Sequence, residues 1–351
     1  MPGQQVTIRH VAARAGVSRQ TVSNALNAPH RVEESTRALV LAAVEELGYR
    51  PNRNARNLAA QQAGLIGYCL PTDRTPSAFM DRFLHQLTAA VEADGKHVLL
   101  FTAPDGPTGT AGYAELIAAR AVDGFVLTDT VDGDPRPRWL AGRGVPFVSF
   151  GRTWPRDGVE AGPWVDVDGA AACRTLVHGL HALGHRRIAF LGWRDVTGAM
   201  LDRRQGWHAG CADLGLPTNL FGHALADSAD AGASAAEPLL TGGDAATAVV
   251  AVSDVVAVGV LRAVRAAGLR PGVDVAVTGF DDGELTSAVD GGLTSVRQPA
   301  GEVAATVVAQ LTGRDPRAAV LLPGRIVSRG SAPVPVPTEF STPIPVPIEE
   351  Q

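Results

Sequence analysis

The stretch Val6-Thr7-Ile8-Arg9-His10-Val11-Ala12-Ala13-Arg14-Ala15-Gly16-Val17-Ser18-Arg19-Gln20-Thr21-Val22-Ser23-Asn24-Ala25-Leu26-Asn27 reads as two short helices around a tight turn. Thr7 suits a helix N-cap, and Ile8, Val11, Ala12 and Ala15 recur on one helical face before Gly16 interrupts it. Gly16 accepts a left-handed turn, Val17 is apolar, and Ser18 caps a second helix from about Arg19 to Leu26. Two short helices joined by a glycine-containing turn are the helix-turn-helix arrangement. Val22, Ala25 and Leu26 then face the first helix, which leaves Arg19, Gln20 and Asn24 outside. Those are base-reading residue types: arginine pairs with guanine, and glutamine or asparagine with adenine. Ser18, Thr21 and Ser23 suit phosphates or caps.

Working outward, a third helix is expected from about Glu34 to Leu47, with Leu39, Val40, Ala43, Val44 and Leu47 at helical spacing before Gly48. A three-helix bundle of this size also suits a protein-binding module. The next segment favours DNA. Tyr49-Arg50-Pro51-Asn52 stops the third helix, and residues 53–60 read as a short helix with almost no apolar face. A helix that short is marginal in water and needs a partner to order it. Leu58 is its one large apolar residue, flanked by small and cationic ones, as expected of a wedge into a minor-groove base step. Packing on the rest of the protein is the plainer alternative.

Charge separates this end from the remainder. Residues 1–60 hold eight arginines against four acids, +4 in sum, so the total of −5 leaves −9 elsewhere. A basic end on an acidic body fits a phosphate-binding module joined to a second function. At 351 residues and 45% hydrophobic content the chain has room for two or three domains with full cores. No apolar run reaches membrane-spanning length and the N-terminus carries Arg9 and His10 where a signal peptide needs an apolar stretch, so a cytoplasmic location without membrane contact is expected. Cys69, Cys173 and Cys211 lack metal or redox spacing and are expected as buried, reduced thiols.

The stretch from Val6 to Asn27 resembles the signature of the LacI/GalR family of bacterial repressors, and Gly48-Tyr49-Arg50-Pro51-Asn52 through Leu58 resembles that family's headpiece end and hinge. His10 departs from the acid that many members carry there. The resemblance implies DNA contacts from Thr7, Ser18, Arg19, Gln20, Thr21, Ser23, Asn24, Asn27, Arg53 and Arg56, with Leu58 intercalating at the operator centre.

From Leu65 the chain alternates apolar strand-like runs with helical stretches, the pattern of parallel α/β sheets. Strands are expected at 65–70, 97–102, 124–128, 147–150, 187–191, 248–252 and 273–278, with helices at 77–94, 169–183, 203–214, 254–267 and 300–311 between them. These exceed one small sheet, so two sheets with a ligand cleft at their strands' carboxyl ends are expected. Further stretches are similar to the same family: His181 to Ala189, Arg203-Arg204-Gln205-Gly206-Trp207, Ser253-Asp254, Gly279-Phe280-Asp281-Asp282 and Leu293-Thr294-Ser295-Val296. The implied architecture is an all-α helix-turn-helix headpiece (1–50), a hinge helix (51–61) and an α/β periplasmic-binding-protein-like effector domain (62–340). That domain comprises two doubly wound subdomains, 62–162 with 294–322 and 163–293 with 323–340. Prolines alternate with apolar residues from Pro333 to Pro347, so this end is expected to be extended or disordered, with 341–351 a proline-rich disordered tail.

The resemblance also implies a hydroxyl-rich effector, a mono- or disaccharide, recognised by arginine and carboxylate partners beside an aromatic wall. The candidates are Phe79, Arg152, Trp193, Arg203, Ser253, Asp254 and Asp281, with Trp164 a further possible wall residue. Asp254 and Asp281 follow predicted strands and equally suit caps or turns. Some members place an aromatic near Ala226-Asp227-Ser228-Ala229-Asp230, where this chain has none, so a purine or other non-sugar corepressor stays open. No nucleotide loop, nucleophile elbow, paired catalytic motif or Cys/His metal cluster is visible, and neither catalysis, cofactor nor metal is expected. A solute-binding protein would lack the headpiece, and a sugar-processing enzyme would need catalytic carboxylates. The remaining expectation is a ligand-controlled repressor of a sugar-utilisation operon. It would bind a pseudo-palindromic operator as a homodimer, since no leucine heptad of the kind that joins some family members into tetramers follows.

Overall fold

The computed structural model describes residues 6–49, 62–71, 77–106, 108–155, 158–194 and 198–335. The chain divides into two compact units, residues 1–63 and 64–351.

In the first unit, α1 (Ile8–Ala15), α2 (Arg19–Asn27) and α3 (Glu34–Glu46) enclose Val11, Ala12, Val22, Ala25, Val40 and Ala43. Gly16 ends α1 at φ +68°, the left-handed conformation its sequence position demanded. At the other end of α1 the His10 ring nitrogen Nδ1 accepts the Thr7 backbone N–H at 3.1 Å. The imidazole does the work usually given to a carboxylate three residues into a helix. One expectation fails: Leu39 is 60% exposed, because α3 buries the Val40–Ala43 face instead. Residues 50–61, with Arg53, Arg56, Leu58 and the expected hinge, lie outside the described residues, as do 336–351 with the tail.

The second unit contains two six-stranded sheets among the described residues. The first runs β11 (Ala319–Pro323), β5 (Trp164–Asp168), β4 (Phe147–Phe150), β3 (Gly124–Leu127), β1 (Leu65–Leu70), β2 (His97–Thr102), all parallel. The second runs β12 (Arg325–Val327), β10 (Thr294–Arg297), β9 (Ala276–Asp281), β8 (Ala248–Ala251), β6 (Ile188–Trp193), β7 (Phe221–Ala224). It is parallel except for β12. Helices link the strands: α4 (Ala78–Ala93), α5 (Ala111–Ala118), α6 (Pro135–Ala141), α7 (Gly169–Ala182), α8 (Gly198–Asp213), α9 (Ala229–Ala236), α10 (Asp254–Ala266), α11 (Leu285–Ala288) and α12 (Ala300–Leu311). Three apolar clusters follow, one around Phe83, Leu87, Val148 and Val307, a second around Tyr113, Phe125, Leu127 and Leu140, and a third around Leu176, Phe190, Trp207, Val250 and Val260.

The subdomain boundaries differ from those expected. Trp164–Asp168 belongs to the first sheet, where it hydrogen-bonds between β4 and β11, and Thr294–Arg297 belongs to the second, between β9 and β12. The chain therefore crosses after each of these strands, and again at Gly324, rather than before them. Strand β9 lies three residues later than its apolar run suggests, because its pairing with β8 and β10 begins at Ala276 and Thr278. Cys173 and Cys211 are buried and burial pushes their thiols up to about 12 and about 11, whereas Cys69 is only half-buried.

In each sheet the strand order reverses beside the first strand of its subdomain, between β1 and β3 and between β6 and β8. The carboxyl ends of strands beside such a reversal form a crevice that open α/β sheets use for ligands.

Candidate functional site

On the first unit, α2 presents its outer face ready-made. The Ser18 hydroxyl accepts the Thr21 N–H at 3.0 Å and contacts the Thr21 hydroxyl at 2.8 Å. These two residues therefore hold the start of α2 as well as lying on its surface. Arg19 and Gln20 are exposed and Asn24 is half-buried. Gln20 Nε2 donates to Asn24 Oδ1 at 3.1 Å, so the two amides are aligned one helical turn apart. Ser23 is half-buried, Thr7 exposed, and Asn27 closes α2, its side chain lying outside the description. Arg14 bridges α1 to Glu46 of α3 at 2.6 Å, which ties down the helix that supports α2.

In the second unit, most of the candidate effector residues gather at the carboxyl ends of the second sheet. Arg203, on α8, is nearly buried. Its Nη1 donates to the Val252 carbonyl at 2.6 Å, its guanidinium lies 3.6 Å from the Phe280 ring centroid, and its Nη2 stands 4.0 Å from Asp281 Oδ1. Trp193, at the end of β6, has its ring 6.0 Å from the same guanidinium and donates its indole N–H to Asp227 at 3.1 Å. Ser253 caps α10 by accepting the Val256 N–H and donates to that same Asp227 oxygen at 2.5 Å. Asp281 closes β9 at φ +107° and accepts from Gln298 Nε2 at 2.6 Å. Burial pushes the Asp281 carboxyl up to about 6; Arg203 opposes that shift and Asp227 adds to it.

The other candidates sit differently. Asp254 is buried beneath this cluster with both oxygens taken, by the Ser295 hydroxyl at 2.5 Å and the Gly283 N–H at 2.7 Å. Burial, with the Asp281 charge next, pushes its carboxyl up to about 7. It stabilises the turn after β9. Phe79 packs in the first subdomain's core, its ring 5.9 Å from that of Phe150. Arg152, after β4, spends its guanidinium on two carboxylates, Asp166 at 2.9 Å and Asp202 at 2.7 Å. Trp164 is buried in β5. A surface pocket of about 510 Å³ on the first subdomain, beside Asp134, Trp139 and Val159, is lined by none of the candidate residues.

Four polar residues of this region were not singled out from sequence: Asp166, Asp202, Asp227 and Gln298. Asp227 lies in the segment 226–230 that lacks an aromatic ring, and its carboxylate anchors both Trp193 and Ser253. The others announce themselves only through partners distant in sequence. Among the described residues no group of His, Cys, Asp and Glu is arranged to hold a metal ion, and no helix is long and apolar enough to cross a membrane.

Residues 7–52 match the family of bacterial regulatory proteins, lacI family, and residues 177–332 match the periplasmic binding protein-like domain. The chain is 32% identical to the HTH-type transcriptional regulator CelR of Thermobifida fusca, over 88% of this chain and 92% of that protein. It is 30% identical to the maltose regulon regulatory protein MalI of Escherichia coli (strain K12), over 87% of this chain and 91% of that one. The lac repressor dimer bound to operator and the anti-inducer ONPF is similar at TM-score 0.76 and 27% identity, covering 93% of this chain and 99% of that chain. A transcriptional regulator CelR–cellobiose complex is similar at TM-score 0.67 and 29% identity, covering 93% and 100%.

Proposed function

The chain belongs to the LacI family of bacterial regulatory proteins and is a DNA-binding transcriptional regulator, and from that premise we propose that a saccharide in the cleft of its second unit controls its grip on an operator. The observation that carries this reading is the convergence of Arg203, Asp281, Gln298 and Asp227 beside Trp193 at the carboxyl ends of β6, β8 and β9. A sugar offers hydroxyls that both donate and accept, together with an apolar ring face. Carboxylates, a guanidinium and an amide answer the first, and the indole answers the second. The relatives' names add support: one structure similar to this chain holds cellobiose. The protein works by binding, without turnover of its effector.

On DNA, a homodimer places one α2 in each half of a pseudo-palindrome, in the cytoplasm where the chromosome lies. Arg19, Gln20 and Asn24 read bases, and Thr7, Ser18, Thr21, Ser23, Asn27, Arg53 and Arg56 hold the backbone. Leu58 wedges the central minor-groove step. Replacing Leu58 with Ala then weakens operator binding strongly with both units still folded; unchanged affinity removes the hinge from the mechanism.

A thermal-shift screen tests the effector class. Cellobiose, other disaccharides and monosaccharides are compared with purines on the full chain, and a binder raises the melting temperature by mass action. A rise with a saccharide alone is expected. A rise with a purine and none with any sugar overturns the saccharide reading.

A further inference from the structure

Arg152 and Trp154 leave the first subdomain after β4 and both meet the start of α8 in the second. Arg152 lies between Asp166 of its own sheet and Asp202 of α8, and its backbone N–H also reaches Asp166 at 3.2 Å. Asp202 is buried and its Oδ2 additionally accepts the N–H of Ala170, in the first turn after the chain crosses between subdomains. Two carboxylates thus share one guanidinium across the divide. Trp154 stands at φ +48°, a conformation that a bulky residue adopts only when its surroundings hold it there. Its indole lies under the Arg152 guanidinium at 4.6 Å and presses on Gly198, the first residue of α8, so closely that a β-carbon built on Gly198 would overlap the ring. Beside the candidate site, Arg82 of α4 donates to the carbonyls of Asp281 and Asp282 at 2.7 and 3.2 Å. That contact is a second bridge between the subdomains.

We infer that Arg152 and Trp154 are a clamp between the two subdomains, which sets effector affinity by fixing their closure instead of by touching the effector. A guanidinium already divided between two carboxylates has little to offer a sugar. An ion pair and an aromatic contact on one short stretch, both aimed at one turn of the neighbouring subdomain, are what a clamp requires. Loosening it populates arrangements in which the cleft residues no longer converge, and apparent affinity falls with the fraction of molecules that are correctly closed.

Arg152→Ala is a poor test, since it strands buried carboxylates. The Gly198/Trp154 contact gives a cleaner one. Gly198→Ala forces a methyl group into the indole, and Trp154→Ala removes the ring that it meets. Hydrogen exchange is measured on segments 151–155 and 198–206 of the full chain without ligand, with far-UV circular dichroism to confirm folding. Gly198→Ala is expected to speed exchange at least about fivefold in both segments, and adding it to Trp154→Ala is expected to change nothing further. Additive effects, or no effect of Gly198→Ala, overturn the clamp. Should Gly198→Ala fail to fold, Trp154→Ala alone must speed exchange in the α8 segment, across the divide from the substitution, and no change there overturns it. Cellobiose titrations of the same variants form the second arm and rest on the saccharide reading: a loss of about fivefold or more in Trp154→Ala is expected, and wild-type affinity in a variant whose exchange has risen overturns the clamp's control of the effector. If no sugar binds the wild type, the saccharide reading fails, while the ligand-free exchange still decides whether the clamp exists.

Discussion

Asp254 keeps both carboxylate oxygens on protein donors in a buried setting, and burial raises its carboxyl to about 7. Its neighbour Asp281 is raised to about 6 for the same first reason. A carboxyl whose folded value lies above its unfolded one binds its proton more tightly in the native state. Its contribution is therefore present in full below the unfolded value and drains away as pH rises toward the folded one. For these two groups the window runs from about 4 to about 7, with a slope of up to about 1.4 kcal/mol per pH unit for each. Asp274, which Arg270 holds at about 2, works in the opposite sense but below that window. The denaturant midpoint of the effector-binding unit is accordingly expected to fall between about pH 5 and pH 7, and Asp254→Asn to flatten that fall. An equal slope in wild type and variant would mean that Asp254 ionises normally. The site's chemistry and its stability are thus drawn from the same buried carboxylates.

At the scale of the element, α2 depends on its two ends more than on its apolar face, since among its described side chains only Val22 and Ala25 are buried. Ser18→Ala removes the acceptor of the Thr21 N–H, and about 1 kcal/mol of headpiece stability is expected to go with it. Gly16→Ala forces a β-carbon into a φ of +68° and is expected to cost about 1 kcal/mol as well. Chemical denaturation of the first unit measures both, and a loss-free Ser18→Ala would show the cap to be idle. Caps of this kind are legible in sequence because donor and acceptor lie three residues apart. So are β1, β3, β4 and β8, whose near-continuous apolar runs are those of strands buried on both faces. Strands β5 and β10 are not. Thr294 and Ser295 are completely buried, and partners distant in sequence make that polar pair tolerable: the Thr294 hydroxyl donates to the Ala332 carbonyl, thirty-eight residues away, and accepts the Arg329 N–H, while the Ser295 hydroxyl donates to the Asp254 carboxylate, forty-one away, and accepts the Asp282 N–H. The candidate site divides in the same way. Arg203 and Asp281 stand out through family-like motifs, whereas Asp202 and Asp227 become meaningful only once Arg152, Trp193 and Ser253 are beside them.

For the molecule as a whole, a regulator of this kind requires an effector that discriminates between two states, and the discrimination has to be reciprocal. If saccharide filling both clefts of a dimer lowers operator affinity by some factor, operator must lower the product of the two saccharide affinities by that same factor, because both describe one thermodynamic cycle. Typical couplings of about 1–3 kcal/mol correspond to about 5- to 150-fold. The two units have separate cores, one around Val11, Val22 and Val40, the others beyond Gly64, so the coupling needs no rearrangement within the reading helix. In the proposed dimer it needs only a change in how two headpieces are presented to one duplex. The measurement uses a duplex selected from a randomised pool by the full chain, with saccharide titrated into the free protein and into the saturated complex, and operator titrated with and without saccharide. Equal factors in the two directions are expected, together with a smaller factor in Trp154→Ala, whose subdomains are less firmly closed before any ligand arrives. Unequal factors would mean that the titrations had not reached equilibrium, since the cycle closes whatever the number of states. A factor of one, with the saccharide bound, would mean that the cleft and the operator do not communicate.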